Sequence, residues 1–468
     1  MEFINREYEL EFLRRAYREE KSQFIVLYGK RRVGKTSLVK EFARCVPHVY
    51  FLADKAPEKD QMRSLSEKVG ILYNDDFLLS RGFGAWHEFF RYLKGKGKVV
   101  VIIDEFPFLI EANQAVTSIF QKGWDEELKD SGIYLVLLGS SIGMMESEVL
   151  DYKSPLFGRR TGQMLVTPLD FWHARKFFPG KPDAEFMYMF AMLGGTPAYL
   201  LQFDPAADLW SNIRNRMLTP EAYLFSEPEF ILREELRTPR NYFAILRAIS
   251  MGKTRAGEII NETGFDKNMV GKYLSVLTDL KIIQREVPIS EKSFEKSKKG
   301  GYVLGDNFFR FWFSFIFPNK SFIEERELDY LIENKIKPRL EIFTSQTFEA
   351  VCRSYVKKGF LDVLKFNQVG RWWTKDAEID IVGLNEDDNS ILFGEVKWSV
   401  NKVGIDILAD LKRKAALLDW GKKGRKECFA LFSRGGFTEK LMQTAANEGI
   451  YLRALKDISA ISSSDSSN

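Results

Sequence analysis

The stretch "GKRRVGKT", Gly29 to Thr36, has residue types and spacing that suit phosphate chemistry. Two glycines separated by four residues let the backbone curl until its N–H groups face phosphate oxygens. Lys35 then suits the β- and γ-phosphates of a nucleoside triphosphate, and the Thr36 hydroxyl suits Mg2+. Lys30, Arg31, Arg32 and Val33 between the glycines, with Ser37 after Thr36, complete the expected nucleotide contacts. A helix opening at this point adds its positive end. Farther on, "VVVIIDEF", Val99 to Phe106, ends in two adjacent acids. Asp104 suits a Mg2+ contact through water, and Glu105 suits polarising the attacking water. "LVLLGSS" puts Ser140 and Ser141 at the end of another strand. Either serine would sense the γ-phosphate there, and a plain strand-terminal turn uses the same residues. "LFGRRTG" supplies Arg159 and Arg160. One of them would neutralise transition-state charge, in cis or from a second copy of the chain, so self-association is an expected partnership. A surface or DNA-facing arginine pair is the alternative.

A second constellation lies in "AEIDIVGLNEDDNSILFGEVKW", Ala377 to Trp398. The polar "NEDDNS" separates two strand-like runs, which predicts an antiparallel hairpin. Strict alternation puts Glu378 and Asp380 on one face, and Glu395 and Lys397 on one face with Ile391 and Phe393. Leu392, Val396 and Trp398 line the opposite face. Charges at the end of such an apolar strand need partners. A Glu395–Lys397 or Asp380–Lys397 salt bridge would provide them. So would a metal site in which Asp380 and Glu395 hold Mg2+ through oxygen ligands. Lys397 would then orient or deprotonate a water and stabilise charge developing on a phosphodiester.

The elements that position these residues read as several domains. A chain of 468 residues exceeds one ordinary core. Its composition, 45% hydrophobic and 29% charged, fits a folded protein. A net charge of +4 leaves any basic surface local. Three scattered cysteines and three histidines suggest neither a disulfide framework nor a zinc cluster, and fit a reducing, cytoplasmic compartment. The charged start lacks the apolar segment of a signal peptide. No run approaches about 20 apolar residues, so no membrane span is expected. "QFIVLYG", "HVYFLAD", "KVVVIIDEF", "IYLVLLGSS" and "GQMLVTPL" read as strands alternating with helices, most of them buried on both faces of a parallel sheet. "TRAGEIINETG" and "DKNMVGKYLSVLTDLKII" read as a helix, a turn near Gly264 and a second helix. Such a second helix enters a major groove, with Lys267, Asn268 and Lys272 exposed. Lys296, Lys298 and Lys299 follow in "EKSFEKSKKGG", which reads as a mobile wing or loop. The same helices also serve as packing modules in ATPases.

Several stretches together carry a family resemblance. "FINREYELEFL", "LYGKRRVGKTSLV", "VVVIIDEFPFL", "LLGSSIGMM", "SPLFGRRTGQ" and "LGGTPAYL" resemble, in order, the archaeal ATPase family within the STAND/AAA+-like P-loop group. The resemblance covers about the first half of the chain. It implies a nucleotide-operated switch, with Asn5 and Arg6 on the adenine side. Serines stand where the AAA+ sensor is often Asn. "GYVLGDNFFRFWFSFIFPNK" resembles the start of the C-terminal region that accompanies these ATPases and reads as core. The Asp380, Glu395-X-Lys397 pattern resembles the PD-(D/E)XK nuclease core, although no proline precedes Asp380. That resemblance implies a further acid from the preceding helix, for which Glu349 in "SQTFEAVCRSYV" is the candidate.

The expected fold is multidomain α/β. A P-loop NTPase three-layer α/β/α domain spans 1–168, a helical lid 169–239 and a winged helix-turn-helix 240–300. A helical connector spans 301–333, an α/β restriction-endonuclease-like domain 334–457 and a disordered tail 458–468. The expected activity is ATP binding and hydrolysis with Mg2+, joined to DNA binding and Mg2+-dependent cleavage. The alternative is a nucleotide-dependent regulatory or signalling switch whose nuclease-like domain is not catalytic.

Overall fold

The computed structural model describes residues 3–236, 238–291, 293–361 and 365–461. The chain divides into two compact units. The first contains residues 1–168 and 196–198, and the second 169–195 and 199–468.

The first unit is built on five parallel strands: β1 (Gln23–Tyr28), β2 (His48–Leu52), β3 (Val100–Asp104), β4 (Tyr134–Gly139) and β5 (Gly162–Leu165). Their order is β2-β3-β4-β1-β5. β1, β3 and β4 are buried almost throughout, because helices cover both sheet faces. Phe24, Val101 and Leu135 enter the core on one face, and Ile25, Val100 and Val136 the core on the other. The neighbours β3, β4 and β1 bring Asp104, Ser140 and the loop after Tyr28 to one edge of the sheet. This edge lies outside the carboxyl ends of the strands, next to where the strand order reverses.

In the second unit, helices Pro239–Ser250, Ala256–Thr263 and Lys267–Asp279 precede an antiparallel pair, β6 (Ile283–Glu286) and β7 (Gly301–Leu304). Asp266 caps the third helix by accepting from the N–H groups of Asn268 and Met269. The hairpin therefore continues past residue 300 into the segment expected to be a helical connector. Its loop is also less free than the sequence suggests. The Arg285 guanidinium donates to the carbonyls of Phe294 (2.6 Å), Glu295 (3.3 Å) and Ser297, and Lys299 pairs with Glu291 at 2.9 Å. Beyond β7, Phe308, Phe311, Trp312, Phe315 and Ile316 are buried, so this aromatic run does build core.

Helix Lys337–Lys357 then leads into β8 (Gln368–Trp373), β9 (Glu378–Asn385) and β10 (Ser390–Lys397), an antiparallel meander. β11 (Lys426–Ser433) runs parallel to β10, and β12 (Tyr451–Ala454) parallel to β11. Helix Ile405–Ala415 packs Leu408 and Leu411 against Val382, Ile391 and Phe393. Strict alternation does not hold through Asp380. The β8–β9 register slips between Gly370 and Trp372, so Ile379 and Val382, three apart, enter the same core. A bulge of this kind re-aims the side chains it contains. The expected tail also begins too early. Leu455–Ser459 is helical, Ile458 is fully buried, and its carbonyl accepts from the Trp172 indole N–H at 2.8 Å. Residues 462–468 of that expected tail lie outside the described residues. Among the described residues no helix is long and apolar enough to cross a membrane.

Candidate nucleotide site and carboxylate cluster

The loop after β1 is held by close packing. A Cβ on Gly29 would lie 2.2 Å from the Val166 carbonyl oxygen, so only glycine fits. Gly34 takes φ +92 and lies beside Pro197. Helix Lys35–Ala43 starts directly after it. Lys35 is buried, with its ammonium donating to the carbonyls of Gly29 (2.8 Å) and Lys30 (3.0 Å). Val33 is buried, Lys30 and Arg31 are half-buried, and Arg32 and Ser37 are exposed. The Thr36 hydroxyl donates to Asp104 Oδ2 at 2.7 Å. The Tyr50 hydroxyl meets the same oxygen at 2.8 Å, and burial followed by the Asp104 charge raises the Tyr50 pKa. Glu105 adopts a left-handed backbone, φ 55, at the start of the next helix. Its carboxylate accepts the Ser140 N–H at 3.2 Å and the Ser140 hydroxyl.

Arg6 is buried and donates to the carbonyls of Val33 (2.8 Å) and Thr167 (2.7 Å), with Glu9 as its ion-pair partner. It therefore braces the phosphate loop through backbone atoms. Asn5 beside it has φ 63. Arg159 pairs with Asp125 at 3.1 Å, while Arg160 lies over the Phe157 ring and donates to the Leu150 carbonyl. Thus Lys35, Thr36, Asp104, Glu105 and Ser140 are linked to the loop or to one another, while both arginines are engaged elsewhere in the unit. Tyr50 was missed in the sequence, because it sits in β2 as an ordinary strand aromatic.

In the second unit, the Lys337–Lys357 helix brings Glu349 toward β9 and β10. Burial pushes the Glu349 pKa up, opposed by Arg371 and Arg353. Asp380 Oδ2 accepts the Val396 N–H at 2.9 Å. Its pKa is pushed up to about 7 by burial and then by the Glu349 and Glu395 charges. Glu395 is only 6% exposed and bonds Lys397 at 2.7 Å. Lys414 reaches both Glu395 oxygens at 3.4 Å and Asp410 at 2.9 Å. Burial lowers the Lys414 pKa, but Asp410 and Glu395 outweigh it and hold the ammonium above its usual range. Arg353 donates to the Asp380 carbonyl at 3.3 Å and lies 3.7 Å from Glu349. Arg371 reaches Glu286 at 3.2 Å and also Glu378. Among the described residues, no three His, Cys, Asp or Glu side chains are grouped as a metal-holding set in this arrangement. Glu349, Asp380, Glu395 and Lys397 nonetheless interact as one charge cluster. Lys414, Arg353 and Arg371 belong to it and were not singled out in the sequence. Each lies on a helix or strand whose facing is decided only by docking.

Residues 3–203 match a family described as an ATPase domain predominantly from Archaea. Residues 312–408 match one described as "Archaea bacterial proteins of unknown function". An uncharacterized protein of Methanocaldococcus jannaschii is 36% identical over 421 residues, covering 89% of this chain and 92% of the relative. An uncharacterized ATP-binding protein of the same organism is 60% identical over 40 residues, 8% of this chain and 68% of that relative. Among solved structures, the Walker-type ATPase of Pyrococcus abyssi aligns with a TM-score of 0.51 at 21% identity, covering 66% of this chain and 96% of that one. That likeness is one of fold, and it agrees with the parallel sheet and phosphate loop of the first unit. The chain therefore belongs to the same family as its long Methanocaldococcus jannaschii relative, and its residues 3–203 match an ATPase domain found predominantly in Archaea.

Proposed function

We propose that the protein uses ATP binding and hydrolysis to control a DNA-engaging second unit, and that this unit cuts DNA with Mg2+ at its carboxylate cluster. In the first unit, Thr36 and Asp104 would hold Mg2+, and the N–H groups of residues 29–37 with Lys35 would hold the phosphates. Asn5 and Arg6 would border the base. Glu105, released from Ser140, would orient the attacking water. Arg159 or Arg160 would have to turn from its present partners to meet transition-state charge.

In the second unit, the three helices and the β6–β7 hairpin have the layout of a winged helix-turn-helix. Lys267, Asn268 and Lys272 are exposed on the helix that would meet DNA, and Lys296, Lys298 and Lys299 on the wing loop. The following helix, three-stranded meander, helix and parallel strand have the order of a PD-(D/E)XK nuclease core. The observation that carries the nuclease reading is the cluster itself. Asp380 is forced toward the neutral form at about 7 by burial and by two neighbouring carboxylates. Glu395 is buried and Glu349 and Asp380 are half-buried, and these hard oxygen donors would suit a divalent cation such as Mg2+ once it displaced Lys397 and Lys414 from Glu395 and Arg353 from Glu349. Glu349, Asp380 and Glu395 are the residues that would hold it. When bound, the cation would supply Lewis-acid activation of a phosphodiester and its water. Lys397 would orient that water and donate to charge developing on phosphate.

The 2.7 Å Glu395–Lys397 pair favours a second reading, a regulatory switch whose nuclease-like domain is structural. Lys397→Ala separates the two. On the nuclease reading it removes Mg2+-dependent cleavage of duplex, branched or single-stranded DNA and spares ATP turnover. Absence of cleavage by the unaltered protein on all three substrates would leave the switch.

A further inference from the structure

The hairpin and the β8 edge are stitched together inside the second unit. The Ile289 N–H donates to the Arg371 carbonyl at 2.8 Å, so the chain leaving β6 lies along β8. The Arg371 guanidinium joins Glu286 at the end of β6 to Glu378 at the start of β9. The fit is close, since a Cβ on Gly370 would lie 3.3 Å from Ile289 Cβ. Beside this seam lies a groove of about 490 Å3, lined by Arg255, Lys299, Arg371, Trp373, Lys375 and Glu378 among others. Arg255, Lys299 and Lys375 are exposed, and Trp373 is half-buried. Arg371 answers two of the acids in the lining, Glu286 and Glu378, and Lys299 also pairs with Glu291. Asp376 is the remaining acid of the lining. Two residues of the lining, Arg371 and Glu378, act electrostatically on Glu349, so the groove borders the carboxylate cluster.

We propose that this groove is a track for one unpaired DNA strand, leading from the wing to the carboxylate cluster. Cations spaced along an open groove with an aromatic ring between them suit a single-stranded phosphodiester backbone, held by charge and base stacking. The seam also forbids the wing from sliding along β8 without breaking a backbone hydrogen bond and the Arg371 ion pairs. A strand entering from the wing would then reach Asp380 at a set distance, so cutting would fall at a constant offset from the wing's contact. This inference rests on the DNA-binding reading above, and it assigns the strand preference to Arg255, Trp373 and Lys375 and the cut position to the seam.

The test compares forked DNA with a blunt duplex of the same sequence, using the full chain. Binding is read with Lys397→Ala and cut sites with the unaltered protein. The expected result is a roughly tenfold preference for the fork, lost in Arg255→Glu/Lys375→Glu while blunt-duplex binding and ATP turnover persist. Retention of the fork preference in the charge-reversed protein would overturn the track. So would cut sites that scatter relative to the protected wing footprint. If the charge-reversed protein fails to fold, Trp373→Ala and Lys375→Ala carry the same comparison, and an unreduced preference in both would overturn the track. Fork preference lost as expected, with no cutting by the unaltered protein, would support the track while refuting the nuclease reading.

Discussion

The Glu105 carboxylate is gripped by Ser140. One oxygen accepts the Ser140 N–H at 3.2 Å and the other accepts its hydroxyl. The acid proposed to orient water is thus held by the end of β4, the strand between β1 and β3. Glu105→Gln is expected to slow ATP hydrolysis by roughly 10²- to 10⁴-fold while nucleotide binding persists. Ser140→Ala removes one of the two contacts and should alter kcat by only a few-fold. Steady-state phosphate release, with separate measurement of nucleotide affinity, checks both. Full turnover in Glu105→Gln would remove Glu105 from the reaction.

Lys35 is buried with its ammonium on two loop carbonyls, so it serves the loop even without phosphate. Lys35→Met keeps much of the apolar stem and removes the charge. A charge-assisted hydrogen bond contributes about 1.5–3 kcal/mol, so nucleotide affinity should fall roughly tenfold to a hundredfold. Titration with a fluorescent ATP analogue measures the loss. An unchanged affinity would mean that the phosphates sit elsewhere.

Much of this is legible in the amino-acid sequence. Strands apolar on both faces marked the parallel sheet, and the spacing of Gly29, Gly34, Lys35 and Thr36 marked the loop. Thr36 and Asp104 were each expected at Mg2+ from their places at a helix start and a strand end, but the direct hydrogen bond between them was not. What escaped the sequence was whatever depends on docking. Arg285 stitches a loop whose composition looks mobile, because its guanidinium finds carbonyls nine to twelve positions away. The Asp380 bulge is a slip against β8, and a strand's own alternation carries no sign of its neighbour's register. Lys414 reaches Glu395 only because its helix packs over β10.

Asp380 makes the stability of the metal-free protein depend on pH in a defined direction. Its folded pKa of about 7 lies above the ordinary 3.8, owing to burial and then to Glu349 and Glu395. A raised acid contributes stability fully present below the ordinary value and lost as pH rises through the folded one. In chelator, the unaltered protein should therefore lose stability relative to Asp380→Asn between about pH 4 and pH 7, by up to a few kcal/mol. The amide oxygen introduced by that substitution would still accept the Val396 N–H. Urea melts of both proteins at pH 5 and pH 8 test this, and a difference independent of pH would show that Asp380 does not titrate in this range.

The exposed Lys267 and Lys272 lie on the helix proposed to enter the major groove. If they meet phosphates, each neutralised phosphate adds about 0.9 to the slope of log affinity against log salt. Lys267→Ala and Lys272→Ala should each weaken duplex binding and make that slope shallower by about one. The loss should be similar across sequences, because phosphate contacts carry no base information. Asn268→Ala tests base reading separately, since an amide that contacts an adenine edge changes preference among sequences by about 1–3 kcal/mol and leaves the slope alone. A salt slope near zero in the unaltered protein would instead make these three helices a packing module, and the lysines a solvated face.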